Sequence, residues 1–562
     1  MAPDTDVVDD AIERCGGFGR FQWFILFFAG LSWMCDALEV MLMSFLGPAV
    51  KCEWGLSETQ ISSLTSVVFA GMTVGGPLWG SISDGFGRRN AFAMSVTCTT
   101  LFGFLSAAAP SFEVLLVFRF FVGLGIPGAC VSFGLLMEFV PAQTRGFFLI
   151  AIEGFWTIGT ILQAGLAYAL LNDKGWRILV IVSAVPLVMQ LVLLPFVPES
   201  PRYLLVKGKT DKAEASLRRV LRMCGKPMPE GSLKPLKSVA AAKAKIGGAW
   251  QQRAWDGLKS GFWDIVASVR GLFSRELRAV TASLLFIWFV AAFVYYGLVQ
   301  LIANVPFMEG GQKYCDGARM IFPHQDLFAI LITSVAELPG LLFSLLLAQF
   351  LSRKHAFAIP MACIALVLVP LMTRRIPTGG IIACLWLSRF FVYAAYNLLW
   401  AITPELFPTS CRSFALGITN AISRIGGLIS PFASIVAPKQ AWEGSAEAIF
   451  AAFSLAAAAA IYLIPRDMNH QRVQDTMEEV RVLSQTESAA RLTSSHRNSL
   501  HFRGGGAANG SVSGPAVAAG SPRGGDGAGG AAAAAGRLGP AAADQGGSPR
   551  VVAARLGKQA VL

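Results

Sequence analysis

The sequence predicts an all-α membrane protein of twelve transmembrane helices arranged as two six-helix pseudo-repeats, and three observations carry that prediction. First, 54% of the 562 residues are hydrophobic and only 15% are charged, where soluble domains carry roughly 25% charged residues. Second, apolar runs of about 20 residues recur, each long enough to cross a hydrocarbon core of about 30 Å as a helix. Inside lipid every backbone polar group needs an internal partner, so these runs must be helical. Third, the chain repeats itself. Glu138, Pro141 and Arg145 return with the same spacing as Glu405, Pro408 and Arg412, and Ile158-Gly159 returns as Ile425-Gly426 at the same interval. Arg119-Phe-Phe-Val returns as Arg389-Phe-Phe-Val, and Thr65-Ser-Val as Thr333-Ser-Val. One position breaks the pattern: Arg424 stands where the first copy has Thr157.

Taken in order, residues 1–19 read as a cytoplasmic N-terminus, because Met1–Asp10 is acidic and polar and lacks the parts of a cleavable signal. Hydropathy places the first six spans at about 20–43, 62–83, 91–110, 113–136, 148–171 and 177–197, a bundle over 20–197. The second six fall at about 279–303, 327–350, 356–373, 379–402, 412–437 and 446–464, a bundle over 279–465. Between them, 198–278 is a basic linker containing Arg218, Arg219, Arg222, Lys243 and Lys245. Basic loops stay in the cytoplasm, which places the linker, Arg88-Arg89, Arg145, Arg353-Lys354, Arg412 and both termini there. Arg374-Arg375 violates the rule. The net charge of +12 is thus a topology signal, and nucleic acid is excluded as a partner. Residues 466–562, with Gly and Ala dominating Gly504–Gly547, read as a disordered cytoplasmic tail. The Asn509-Gly-Ser spacing within it is an unused glycosylation match. The ten cysteines have no metal spacing. Only Cys52 and Cys315 fall in outer loops, where they either pair or remain two free thiols. The expectation is no catalytic residue, metal or cofactor, and no enzyme.

The loop Gly80-Ser-Ile-Ser-Asp84-Gly-Phe-Gly87-Arg88-Arg89 joins spans 2 and 3. Gly80 allows close helix approach, and Gly87 permits a tight turn. The whole G-x3-D-x2-G-R-R pattern resembles the signature loop of the major facilitator superfamily, and the resemblance extends to about Pro465. It implies the major facilitator fold, with Asp84 meeting the start of span 11 just after Arg412. The second-half loop Gln349-Phe-Leu-Ser352-Arg353-Lys354 lacks the Asp and the Gly, so no gating contact is expected of Gln349. Pro198-Glu199-Ser200-Pro201-Arg202 adds charge to the same rim. By resemblance to sugar porters and organic-ion transporters, the rim forms salt bridges that close this side. The expected gating set is Gly80, Asp84, Gly87, Arg88, Arg89, Glu138, Arg145, Glu199, Arg202, Glu405 and Arg412, with the repeated Arg119 and Arg389 counted in it.

Asp36-Ala-Leu-Glu39, Leu64–Met72, Tyr295-Tyr-Gly-Leu-Val299 and Thr403–Thr409 resemble the synaptic vesicle 2-related proteins, the plant organic cation/carnitine transporters and the bacterial niacin transporters. Span 7 reads WFVAAFVYYGLVQL over Trp288–Leu301 and lacks the glutamine-rich motif of hexose carriers.

An ionisable group inside a membrane costs about 2.5–3.5 kcal/mol on insertion scales and is a functional candidate by default. Asp36 and Glu39 share a face of span 1, Glu153 lies in span 5, Glu337 precedes a Pro339-Gly340 break in span 8, and Arg424 is in mid-span 11 with Asn420 one turn before it. Tyr393, Tyr396, Asn397 and Trp400 form one continuous face of span 10, and Tyr296 and Gln300 do likewise in span 7. With Trp156 these give the expected substrate-binding set: Asp36, Glu39, Trp156, Tyr296, Gln300, Glu337, Tyr393, Asn397, Trp400, Asn420 and Arg424. The planar fork of Arg424 suits a carboxylate, or it is locked in a permanent ion pair with Glu337 or Glu39. The carboxyls of Asp36, Glu39 and Glu337 either carry protons or balance Arg119, Arg389 and Arg424. In organic-ion transporters a basic residue at the Arg424 position goes with anionic substrates, and that resemblance implies a small carboxylate such as nicotinate.

The expected function is therefore secondary active transport of a small organic ion by alternating access, as a proton symport. The expected setting is a monomer in a lipid bilayer, either the plasma membrane or a vesicle or vacuole membrane. Rival readings are an organic cation/carnitine carrier using Asp36, Glu39 or Glu337 as counter-charge, and a non-transporting vesicle membrane protein acting through partners.

Overall fold

The computed structural model describes residues 6–464 except 16–17, 142–143, 229–269, 276, 305–313, 318, 374–375 and 408. Arg374-Arg375, Lys243, Lys245 and the Gly/Ala-rich segment lie outside the described residues. Twelve helices among the described residues are long and apolar enough to cross a membrane. Spans 1–6 are Arg20–Trp54, Glu58–Phe86, Arg88–Ala107, Phe112–Phe139, Ile150–Lys174 and Trp176–Phe196. Spans 7–12 are Arg278–Asn304, His324–Phe350, Arg353–Thr373, Thr378–Leu406, Phe414–Gln440 and Ser445–Leu463. The helices of spans 5 and 11 themselves begin at Arg145 and Thr409.

The largest boundary difference is span 1, whose 35 residues measure about 50 Å at 1.5 Å per residue. It outruns the apolar core and ends only where Gly55 takes a left-handed conformation (φ 62). Span 2 then starts on a capping box, Ser57 with Gln60. Span 8 divides into His324–Val335 and Glu337–Phe350, so the break precedes Glu337. Pro339 causes it, because its ring clashes with the carbonyl four residues back, at Val335. Pro127 breaks span 4 in the same way at Ile126–Gly128.

The helix contacts repeat. Span 1 packs on span 5 as span 7 does on span 11, span 2 on span 4 as span 8 on span 10, and span 3 on span 6 as span 9 on span 12. Span 2 meets span 11 and span 5 meets span 8 between the halves. Glycine sets the closest approach: a Cβ at Gly75 would meet the carbonyl of Leu124, and one at Gly123 that of Val68. Gly75→Leu should wedge spans 2 and 4 apart and cost about 1–3 kcal/mol, visible as a lower melting temperature in detergent.

The linker is not wholly unstructured chain. Thr210–Cys224 is a helix whose Ala213, Leu217, Val220 and Leu221 are buried, the i, i+4, i+7, i+8 stripe of an amphipathic helix. It joins the N-terminal helix Asp6–Arg14 in an apolar cluster with Phe21, Phe139 and Val197 on the first half. Burial and the neighbouring Cys224 thiol push the Cys15 thiol up to about 12. Leu217→Ala should cost about 2–5 kcal/mol and expose the linker to protease.

At the end of the bundle away from the linker, Cys52 and Cys315 form a disulfide, with Cα atoms 5.6 Å apart. Cys315 belongs to a two-stranded hairpin, Tyr314–Asp316 paired antiparallel with Arg319–Ile321. The Asn172 amide both donates to the Phe322 carbonyl (2.8 Å) and accepts from its N–H (3.0 Å). Ser62 and Ser66 on span 2 donate to the carbonyls of Pro431 and Leu428 on span 11. The two halves are therefore bound together at the disulfide end.

Candidate functional site

Two intramembrane arginines are neutralised by carboxylates. Arg119 of span 4 meets Glu39 of span 1 at 2.9 Å, with both side chains at most 2% exposed. Arg389 of span 10 meets Glu337 of span 8 at 2.9 Å, both fully buried. The second pair is the better satisfied. Glu337 Oε1 accepts from Arg389 Nε and from the Tyr295 phenol, each at 2.9 Å, and Oε2 accepts from Thr160 on span 5 at 2.8 Å. In the first pair Glu39 Oε1 and Arg119 Nε and Nη2 have no hydrogen-bond partner among the described residues. The arginines are repeat-related, but their acids come from non-equivalent spans. Arg119 and Arg389, expected with the gate, thus belong to the bundle interior and not to the rim. Arg424 is not locked to Glu337 or Glu39, because those acids are already engaged.

Arg424 is instead half-buried where spans 2, 7 and 11 meet at the contact between the halves. Its Nη1 donates to the Tyr296 phenol at 3.3 Å and touches the Met72 sulfur at 3.6 Å. Among the described residues no carboxylate comes within salt-bridge distance of it, although Asp36 across the interface is close enough to feel its charge. Asn420 supports this wall: Ser423 donates to its Oδ1 at 3.3 Å, and its amide faces the Cys130 sulfur at 4.0 Å.

A second set of contacts stitches spans 5, 7 and 10. The Trp156 indole donates to Tyr295 at 2.9 Å, Thr157 donates to Tyr393 at 3.0 Å, and Tyr393 donates to the Glu153 carbonyl at 3.0 Å. Gln300 donates to Thr65 on span 2 at 3.3 Å. Trp400 lies against Trp33 and Trp288, with ring centres 6.4 and 5.0 Å away. Both amide atoms of Asn397 are shielded from water and lack a partner among the described residues. A small interstice between Met41, Trp156, Thr160, Tyr295 and Arg389 has essentially no room for a water molecule. It is far smaller than ligand pockets, which run about 300–1,000 Å³.

Of the expected substrate set, Asp36, Tyr296, Asn420 and Arg424 therefore gather at one place between the halves. Trp156, Glu337 and Tyr393 form a neighbouring hydrogen-bonded set, and Glu39 and Gln300 are engaged elsewhere. Tyr295, Thr160 and Thr157 do as much as any of these and were missed. Thr157 carried a visible signal, since it is the repeat mate of Arg424, and both cross the interface.

At the linker end each half has its own set of ties. Arg88 Nη1 pairs with Asp84 at 2.6 Å, and the Asp84 side chain is 73% exposed. Asp84 is thus turned to its own loop and not into the start of span 11. Gly87 takes φ +105, and Glu199 Oε1 accepts from the N–H groups of Arg88 (2.9 Å) and Arg89 (3.2 Å). Glu138 takes Arg88 at 3.6 Å and the Ser200 hydroxyl. Tyr203 donates to the Gly85 carbonyl at 2.8 Å, and burial together with the Glu199 charge holds its phenol above the usual range. In the second half Glu405 takes both Arg353 Nε (3.0 Å) and Nη2 (2.9 Å). The loop that lost its Asp has kept its arginine in use. Glu138 and Glu405 were expected to pair with Arg145 and Arg412, whose side chains lie outside the described residues. A Cβ at Gly80 would meet nothing within 4 Å, so close helix approach is not its role in this arrangement. Arg202 lies close enough to Glu138 to lower the cost of its charge.

Residues 31–466 match the family described as sugar (and other) transporter. The chain belongs to this family. It is a multi-pass membrane transporter of the major facilitator type. It is 37% identical over 443 residues to the synaptic vesicle 2-related protein of Xenopus laevis, covering 76% of this chain and 75% of that one. It is 33% identical over 493 residues to organic cation/carnitine transporter 7 of Arabidopsis thaliana, covering 84% and 96%. The fold is that of the inward-open xylose transporter XylE from E. coli, with TM-score 0.58, 20% identity, and 82% and 99% of the two chains covered.

Proposed function

We propose that this transporter carries a small organic carboxylate, of the size of nicotinate, by alternating access, and that protons move with it. The observation that supports the reading is the contrast among three intramembrane arginines. Arg119 and Arg389 each hold a carboxylate at 2.9 Å, whereas Arg424 has only phenol and thioether neighbours within hydrogen-bond reach among the described residues. A cation kept in such a place without a fixed counter-ion is prepared for an anion that comes and goes. Hydrogen bonds from Tyr296 and an amide at Asn420 suit the rim of a planar carboxylate. The Asn397 amide, deeper on span 10, supplies a polar contact for the rest of the molecule.

Proton coupling follows from Asp36. Across the interface the Arg424 charge offsets part of the cost of ionising the Asp36 carboxyl. A substrate carboxylate that takes Arg424 removes that offset, and a carboxyl left without its cation in a low-dielectric site binds a proton. Substrate and proton would then load together. Reconstituted protein should accumulate labelled nicotinate several-fold faster when the outside is acidic, and Asp36→Asn should keep exchange while losing the response to the gradient. Identical gradient responses in the two proteins would remove Asp36 from the coupling.

In the alternating cycle the halves part at the disulfide end, within the reach that the Cys52–Cys315 bond and its hairpin allow, and close at the linker end. Gly80–Arg89, Glu138, Arg145, Glu199, Arg202, Glu405 and Arg412 then form the closing rim. The basic linker supports a cytoplasmic setting for that rim and for both termini. The likeness to a protein named for synaptic vesicles supports an intracellular vesicle membrane, and a monomer suffices for the cycle.

A further inference from the structure

Span 1 packs against both span 5 and span 2, and span 7 against both span 8 and span 11. The halves therefore meet on two sides of a span 1–span 7 centre, spans 5 and 8 on one and spans 2 and 11 on the other. At the disulfide end these two sides are held by different chemistry. On the span 5–span 8 side the tie is covalent. The hairpin ahead of span 8 carries Cys315, bonded to Cys52 at the end of span 1. Asn172 of span 5 makes both its hydrogen bonds to Phe322, just past that hairpin. Tyr168, one turn before Asn172, lies against His324 and Phe328 of span 8, with ring centres 6.0 and 6.3 Å away.

On the span 2–span 11 side the ties among the described residues are non-covalent and run in register. Ser62, Ser66, Phe69 and Met72 of span 2 meet Pro431, Leu428, Gly427 and Arg424 of span 11 in that order, as two antiparallel helices lying side by side must. The Ser66 hydroxyl donates to the Leu428 carbonyl at 2.7 Å and that of Ser62 to the Pro431 carbonyl at 3.4 Å. Each hydroxyl also has an acceptor in its own helix, Ser62 the Glu58 carbonyl at 2.9 Å and Ser66 the Ser62 carbonyl at 3.1 Å. When span 11 withdraws, each falls back on that carbonyl and no buried donor is stranded. Below the serines the Phe69 ring lies on Gly427, where a Cβ would come within 2.5 Å of it. It also lies on the Tyr296 ring, centre to centre 4.7 Å. Gly427 is one turn beyond Arg424, and Tyr296 accepts from Arg424, so Phe69 covers Arg424 from the disulfide end. Past Pro431, span 11 runs on as a π turn over Phe432–Val436, a place where helices bend.

We propose that opening at the disulfide end is one-sided: the Cys52–Cys315 side is a fixed hinge, and the route to Arg424 runs through the span 2–span 11 seam, which the Phe69–Gly427 contact bolts. A covalent bond keeps its two elements together throughout the cycle, whereas the seam consists of hydroxyls with a second acceptor and one ring seated on a glycine. That the route leads to a substrate rests on the assignment of Arg424 to a carboxylate.

Thiol labelling of the full-length chain in proteoliposomes tests it, with a membrane-impermeant methanethiosulfonate as the probe and mass spectrometry reading the introduced residue. Ser66→Cys reports on the seam. Ala164→Cys reports on the other side, since Ala164 is buried one turn from both Thr160 and Tyr168 on span 5. Ser66→Cys should react about ten-fold faster or more, because only its side opens. Equal rates, or a faster Ala164→Cys, overturn the proposal. Adding Cys52→Ser should bring Ala164→Cys up toward the rate of Ser66→Cys, and reduction of the parent bond by a dithiol, then removed, should do the same if that variant does not fold. An Ala164→Cys rate unmoved by loss of the bond overturns the hinge. The bolt has its own test. Gly427→Leu places a side chain in the Phe69 ring and should hold the seam apart, lowering nicotinate uptake about ten-fold or more while the purified protein still binds nicotinate. Phe69→Ala added to Gly427→Leu should restore much of that uptake, and a double variant no better than Gly427→Leu overturns the bolt. The labelling contrast needs no substrate, so it stands or falls separately from Arg424. If uptake is indifferent to Arg424→Gln, the underlying assignment fails; if uptake needs Arg424 but the two sides label alike, the inference alone fails.

Discussion

Arg389→Leu should cost about 3–5 kcal/mol and leave little folded transporter in detergent, the loss expected when one partner of a buried ion pair is removed. The reason lies in what remains. Glu337 is fully buried and would keep the donors Tyr295 and Thr160 but lose its cation. Hydrogen bonds to a charged group contribute about 1.5–3 kcal/mol each, but these two are already made in the parent, so they add nothing to offset the lost cation. Glu337→Gln with Arg389→Met removes both charges and should recover most of the melting temperature, since a buried pair adds little against an apolar replacement of similar volume. The Glu39–Arg119 pair makes the useful comparison. It is equally dry, yet several of its polar atoms are unpartnered, so Arg119→Leu should be the milder change. Thermal melts of the purified variants decide the matter: if Arg389→Leu melts within a degree or two of the parent, the pair is not holding the second half together. Transport by the double variant then reports on function separately from folding, because Glu337 also ties span 8 to Thr160 in the other half.

Much of this was legible in the sequence, and what was not has a physical reason. Hydropathy locates spans because lipid forces helices on apolar runs, and the repeated Arg-Phe-Phe-Val and Glu-x2-Pro-x3-Arg stretches located the two halves. Depth and face of each polar residue follow from helical spacing, which is why Asn420 could be grouped with Arg424 on span 11, and Asp36 with Glu39 on span 1. Partnership does not follow from spacing. Glu39 and Glu337 lie on spans that are not repeat mates, and only the packing of span 1 on span 4 and of span 8 on span 10 brings each to its arginine. The same limit hid Thr160 and Tyr295, ordinary residues until two halves are placed face to face. The rim shows it again. The eye pairs Glu405 with Arg412 inside one motif, but the fold hands Glu405 to Arg353, from a loop that looked degraded. The linker is the opposite case: the stripe of Ala213, Leu217, Val220 and Leu221 was readable and was passed over because the segment is so basic.

Arg424→Gln should reduce nicotinate uptake by about 10- to 100-fold, which corresponds to the roughly 1.5–3 kcal/mol of a hydrogen bond to a charged group. Arg424→Lys should recover only part of it, because an ammonium presents one point charge where a guanidinium presents two parallel donors to a carboxylate. The folded state should tolerate both changes far better than it tolerates Arg389→Leu. Arg424 is half-buried, and its nearest neighbours are the Tyr296 phenol and the Met72 sulfur, so its removal strands no ion-paired acid. The pairing of outcomes is what distinguishes a site from a strut. Loss of uptake with a melting temperature near the parent's marks Arg424 as a substrate group, whereas loss of both together would make it structural. Uptake that survives Arg424→Gln would return the carboxylate to another place between the halves. Asp36 sharpens the test further. Without Arg424 it faces no cation across the interface and will hold a proton throughout the cycle, so whatever uptake remains should no longer depend on the pH gradient. A residual uptake that still followed the gradient would place the proton on Glu39, Glu153 or Glu337 instead.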